Sequence, residues 1–440
     1  MRTVLLALLL LILPAIPARA DFQSYVGVFT WATTDVATTT IAVDTNITGD
    51  GPKIWFIWAS ATASDTDSAA AGNGHMIFGC GTSTSNRWAV AATNTDNAAN
   101  GAFGTRSSVA AIGVTGGATG ALDIDSVSGD TITFIVDTQQ SGAGIASWRV
   151  RILALGGSDI TNQTCVSFAE ADAEVDEIGF QATGIIAVTV GTATDTSTST
   201  NGGNYSVGAY DGTNQWVCAF GGEHASDNPI LVGSYCLGGE LIAISTAPSG
   251  AGTGYATDAL ASATAFDSNG VDLSWAESAA TRRVFVGAWA GGQFDVNEGV
   301  TAADTNAFNS AAVGFTPSVV FVASASQAEH ATNTPAGDQG MSLGAANGTT
   351  QSAASSMGRA GVNTSDTGAC VQVDDIYCNL STASAVEGLM SVTSFADPIQ
   401  FTMDDADPSA FFFGWAAWGA TAAGGGGGSG HAVVIGGGIF

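Results

Sequence analysis

The sequence predicts an all-β protein made of three tandem β-sandwich modules, and three observations carry that prediction. A twelve-residue apolar run recurs as ASWRVRILALGG at 146–157, TRRVFVGAWAGG at 281–292 and SAFFFGWAAWGA at 409–420. The ends of these runs, Gly157, Gly292 and Ala420, lie 135 and then 128 residues apart. That is a domain-sized period, far longer than a propeller blade or a solenoid coil. Charged residues make up only 11% of the chain, against about 25% in ordinary proteins. Glycine contributes 58 of 440 residues. A surface of Ser, Thr, Asn, Gly and Ala suits strands and turns, and no stretch of ten or more residues beyond the N-terminal segment has a helical period.

The elements follow in chain order. Residues 1–20, MRTVLLALLLLILPAIPARA, read as a secretory signal peptide cleaved after Ala20, with a basic start, a leucine-rich core and a small-residue Ala-Arg-Ala end. The apolar run from Val4 to Ile16 is short for a bilayer span of ~20 residues and contains Pro14. No later segment is long and apolar enough to cross, so a secreted or virion-surface protein without a membrane span is expected. Module one covers 21–157, module two 158–292 and module three 293–420. Each opens with a strand and a polar stretch, then an apolar strand: PKIWFIW at 52–58, GIIAVTV after Gly179-Phe180, and SVVFVAS after Gly314-Phe315. Both faces of these strands are apolar, as in a strand covered on two sides.

A hairpin recurs next, as MIFGCGTSTSNRW, YSVGAYDGTNQW and MSLGAANGTTQS, aligning Gly79, Gly208 and Gly344. Asp211-Gly212 and Asn347-Gly348 supply its turn chemistry. An alternating segment then precedes each closing run: TITFIV at 131–136, VDLSWA at 271–276 and PIQFTM at 398–403. The expectation is that these two segments pair with each other as antiparallel neighbours. Many short strands per module suit a sandwich, with the jelly roll as the candidate topology. Residues 421–440 form a glycine-rich tail. The linker Gly424–Gly428 leads to a terminal strand of Ala432, Val433, Val434 and Ile435, which either folds back or is donated to a neighbouring subunit.

The net charge is −29, and −31 once Arg2 and Arg19 leave with the leader; Lys53 is the only lysine. Such a chain repels nucleic acid and anionic membranes. Six cysteines in an exported protein point to disulfides. Cys218 with Cys236 and Cys370 with Cys378 are the short-range pairs, while Cys80 and Cys165 either join each other or stay buried thiols. No Cys-x-x-Cys spacing exists to suggest redox or zinc chemistry.

Catalytic signals are sparse. The four histidines are His75, His224, His330 and His431. Glu223, Ser226 and Asp227 flank His224 on one loop, whereas triad members converge from separate elements. With no GxSxG, HExxH or P-loop pattern, no catalytic residue is named and no enzyme is expected. Asp123, Asp125 and Asp130, with Asp267 and Asp272 in module two and Asp404, Asp405 and Asp407 in module three, are the calcium candidates. Turns use the same residues, and no other cofactor is implied. A glycosidase pair would be recognised by the spacing of two carboxylates in space. Trp88 and Trp216, 128 residues apart after the same hairpin turn, are the ligand candidates: exposed, they would stack on a sugar, and otherwise they belong to a core. Module three carries Gln351-Ser352 there. Sequons begin at Asn46, Asn162, Asn204, Asn347, Asn363 and Asn379, and serve as acceptors only in a host with that machinery.

The element Gly314-Phe315-Thr316-Pro317-Ser318-Val319-Val320-Phe321, a GF-x-P-x-x-V-F pattern, resembles repeated β modules in uncharacterised structural proteins of tailed bacteriophages and environmental viral sequences. Module three matches it best; module two has Ala182 in the proline position, and module one has Pro52 without the preceding Gly-Phe. The resemblance implies a surface or assembly role and transfers no site residue. The leader departs from it, since virion proteins assembled in a bacterial cytoplasm need no export signal. The expected function is a secreted, non-enzymatic structural protein that self-associates to form or decorate an extracellular or virion surface as fibre, filament or coat. The alternative is a lectin-like adhesin that binds a surface glycan.

Overall fold

Residues with branched, aromatic or small side chains dominate the described chain, and they form strands almost throughout. The structure is a computed structural model that describes residues 21–421, except 33, 61–67, 72–73, 95–100, 115–117, 141–146, 170–174, 193, 196, 200–202, 223–231, 247–255, 278–281, 327–337, 360–366 and 383–384. The leader and the terminal strand Ala432–Ile435 lie outside the described residues, as does His224.

Among the described residues, six antiparallel sheets fall into three pairs with closely matching strand order. In the first unit the opening strand Gln23–Ala32 pairs with the closing strand Ser147–Gly156, and that strand pairs with Pro52–Ala59. The large sheet continues as a meander through Gly74–Gly81, Arg87–Asn94 and Gly101–Arg106. The facing sheet runs Thr40–Asp44, Thr131–Thr138, Ala118–Ser128, Ala111–Val114. First with last and second with penultimate is the outer wrapping of a jelly roll; the inner strands are a plain meander. The third unit repeats this order from Gln293–Val300 to Phe412–Gly419. The second unit, from Asn162–Ala169 to Arg283–Ala290, has a three-stranded facing sheet among the described residues. In place of the second strand stands a 3-10 turn, Asp176–Ile178, bracketed by backbone bonds from Val175 to Val271 and from Gly179 to Asn269.

The expected pairing of the last two strands of each module is overturned. Thr131–Thr138 and Ser147–Gly156 lie in opposite sheets, as do their counterparts Val271–Glu277 with Arg283–Ala290 and Gln400–Asp405 with Phe412–Gly419. Their burial patterns give the reason. Thr131–Thr138 alternates buried and partly exposed residues, as a strand with one wet face does, whereas Phe412–Gly419 is buried at every position. The connection between them crosses the sandwich.

The two sheets of each unit approach closely at one repeated point. A Cβ on Gly79, Gly208 or Gly344 would stand 1.9 Å from the carbonyl of Ala110, 2.0 Å from that of Leu241 and 1.9 Å from that of Ile376. Only glycine admits that contact, so its recurrence is a packing requirement.

Each unit has its own core between its sheets, centred on residues such as Trp55 and Phe134, Ile185 and Leu241, or Phe401 and Trp415. The outer faces of the three large sheets then meet in a shared core that includes Phe56, Trp58, Trp88, Trp216, Phe285, Trp289, Phe321 and Trp418. The third unit packs back on the first, so the contacts between units close into a ring. The unit junctions gather at one pole. Asp159 N–H donates to the Asp21 carbonyl, and Thr421 donates to the Asp159 carboxylate through its N–H and its hydroxyl, both at 2.9 Å.

Candidate functional site

The side chains singled out by sequence sit in the seams between units. Trp88 is 1% exposed and Trp216 is fully buried, so neither offers a face to a sugar; the stacking reading is corrected to a seam contact. The Trp88 ring packs on Phe285 at 5.5 Å and its indole N–H donates to the Val286 carbonyl at 3.0 Å. At the next seam the Trp216 N–H donates to the Trp415 carbonyl at 2.9 Å. Its ring lies against Gly414, where a Cβ would be 2.0 Å away. Strand registers make Ser352 the third counterpart of these indoles and Arg151 the counterpart of Phe285 and Gly414. Here the long side chain comes from the other side: Arg151 Nε donates to Ser352 Oγ at 3.0 Å. The gap left by the missing indole is filled by a guanidinium.

Other repeated contacts reinforce the seams. Cys165 N–H donates to Asn86 Oδ1 at 2.6 Å, and the equivalent Val296 N–H donates to Asp211 Oδ2 at 2.9 Å. Hydroxyls of Thr105, Ser234 and Ser60 donate to the carbonyls of Thr194, Ala325 and Cys370, one at each seam. Strands cross over too: Ser197–Ser199 of the second unit extends the first unit's sheet at Gly101–Arg106, and Ser68–Ala71 of the first extends the third's at Thr367–Gln372. Both cover an edge that would otherwise be open.

Three disulfides are present. Cys218–Cys236 joins directly opposed residues of neighbouring strands, and Cys370–Cys378 joins the two sheets of the third unit, both as the spacing suggested. Cys80 and Cys165 pair with each other, and the bond links the first unit to the second. Three disulfides suit an oxidising environment.

The acidic candidates do not converge. Asp123 takes a two-pronged bond from Arg87, Nε to Oδ1 at 2.5 Å and Nη2 to Oδ2 at 2.8 Å. Asp125 is exposed, the Asp130 carboxylate accepts from Thr131, Asp267 caps its turn by accepting from Asn269 N–H, and Asp272 stands on the strand Val271–Glu277 that follows this turn. Among the described residues no group of three or more His, Cys, Asp or Glu is placed to hold a metal. Asp407 is buried instead: Tyr377 Oη donates to it at 3.1 Å and Asn379 Nδ2 at 3.2 Å. Burial raises its carboxyl to about 6 against those bonds, and raises the Tyr377 phenol. Of the sequons, Asn46 and Asn162 are exposed, while Asn379 is 3% exposed and closed to a glycosyl transferase in the folded chain.

Two features had no single-residue signal. At the seam between the second and third units, burial, then the Asp211 carboxylate, push Asp295 up to about 7. On the outer surface of the third unit lies a groove of about 510 Å³, lined by Asn347, Thr349, Thr350, Asp374, Thr393 and Phe395 among others. Its polar lining comes from the Asn-Gly hairpin turn and the facing sheet, which only the folded sandwich brings together. Among the described residues no helix is long and apolar enough to cross a membrane. No protein-family model, curated protein or solved structure matches the chain.

Proposed function

We propose that the chain is a secreted, non-enzymatic structural protein that forms or decorates an extracellular or virion surface by self-association. The observation that carries this reading is the shared core: three sandwiches spend the second face of their large sheets on one another, producing a pre-assembled block. Its low charge density, capped sheet edges and disulfides suit a durable external part. Electron microscopy of the native particle tests it, since an isolated monomer in the native source would overturn self-association. Deleting residues 424–440 and measuring oligomer size tests donation of the terminal strand; an assembly of unchanged size sinks that route.

A second reading, a glycan-binding adhesin, is favoured by the groove at Asn347, Asp374 and Phe395, which offers amide, hydroxyl and carboxylate groups beside an aromatic ring. A glycan array probed with wild type and with Asn347→Ala/Asp374→Ala separates the readings. Retention of a glycan by the wild type and its loss in the variant would support the adhesin.

A further inference from the structure

Arg151 has no exposed surface, and its charge has no local reason to be there. Nε donates to Ser352 Oγ and Nη1 to the Arg149 carbonyl at 2.7 Å, but Nη2 is buried without a hydrogen-bond partner. The described residues form no ion pair to it, and the second charge that bears on it is another cation, Arg149, on the same face of the same strand. Directly opposite Arg151 in the register stands Trp58, whose indole N–H is also buried and unpartnered. The point therefore offers donors with no acceptor to meet them. The other two seams fill the equivalent space with neutral indoles, so volume alone does not call for a guanidinium. An unpaired buried charge costs several kcal/mol. Burial and Arg149 lower the Arg151 pKa only to about 9, which leaves it cationic at neutral pH.

We propose that Arg151 and Trp58 form a buried anion site at the seam between the first and third units, and that its ligand is a small monovalent inorganic anion of the halide class. A halide accepts from Nη2–H and from the indole N–H without bringing donors of its own, and it neutralises the charge. In a chain of net charge −29 this is a basic point enclosed at a seam.

The test melts the mature chain, disulfides intact, in sodium chloride and in sodium gluconate mixtures of one ionic strength. The melting temperature of wild type is expected to climb by about 2 °C for each tenfold rise in chloride above the site's dissociation constant, and that of Arg151→Met to stay flat. A wild type indifferent to chloride overturns the site, and so does a variant as chloride-sensitive as wild type. If Arg151→Met does not fold, bromide-soaked wild-type crystals decide: an anomalous peak beside Arg151 Nη2 supports the site, and its absence overturns it.

Discussion

Trp88 and Trp216 show how one residue type acquires its role from the fold. Each indole spans a seam and donates to a carbonyl of the next unit. Truncation leaves a cavity and strands the carbonyl, so Trp88→Ala or Trp216→Ala is expected to cost about 3–5 kcal/mol in urea unfolding. Phe at either position keeps most of the packing and loses the hydrogen bond, at about 1 kcal/mol. Losses below about 1 kcal/mol for the alanine variants would mean the seams carry little stability. Asp295 makes a second prediction. Its folded pKa, about 7, lies above the ordinary 3.8, so the folded seam holds a proton that the unfolded chain has released. The contribution is full below about pH 4 and is lost as pH rises through 7. The groups facing it are Asp211, Asp397 and the Val296 N–H, the last working the other way. Asp295→Asn should therefore raise the melting temperature at pH 8 and weaken its fall between pH 5 and 8. An unchanged profile counts against the buried carboxyl.

At the scale of strands and cross-links, the sequence was legible where a pattern is local. The apolar strands Pro52–Ala59, Gly184–Thr189 and Val319–Ser324 read as covered on both faces because they are: their own facing sheet takes one side and the shared core the other. The hairpins at Asp211 and Asn347 read correctly from their turn residues. Sheet membership did not, because a hairpin and a crossover connect the same two strand patterns with loops of similar length. Cys80–Cys165 was open for a related reason, since spacing cannot say that residues of different units face each other. The crossing strand Ser197–Ser199 lies in a Thr/Ser stretch with no apolar period to mark it. Sequence separations of 85, 18 and 8 residues order the disulfides by the chain entropy each removes from the unfolded state. Replacing Cys80 and Cys165 with Ser should cost about 4.5 kcal/mol, more than the Cys218/Cys236 or Cys370/Cys378 replacements. Equal losses from thermal melts of the three double variants would show that native-state contacts outweigh loop closure.

For the molecule as a whole, the decisive quantity is how much apolar surface each unit leaves for its neighbours. The second unit alone contributes Tyr205, Trp216, Phe220, Phe285 and Trp289 to the shared core, all at most 5% exposed in the full chain. Separated from the ring, it would present these as one continuous face, of a size that drives association. Its internal core between the two sheets would persist, so the isolated unit is expected to fold and then oligomerise or precipitate. The same dependence predicts the thermogram of the intact chain. Three autonomous sandwiches on linkers would melt in separate steps, whereas units that share a core and exchange edge strands should unfold in one cooperative transition. Differential scanning calorimetry distinguishes the two, with a van't Hoff enthalpy near the calorimetric value for the whole chain as the expected result. Resolved transitions of about a third of the enthalpy each would mean that the ring is an arrangement of independent parts, and would remove the shared core as the basis for a pre-assembled block.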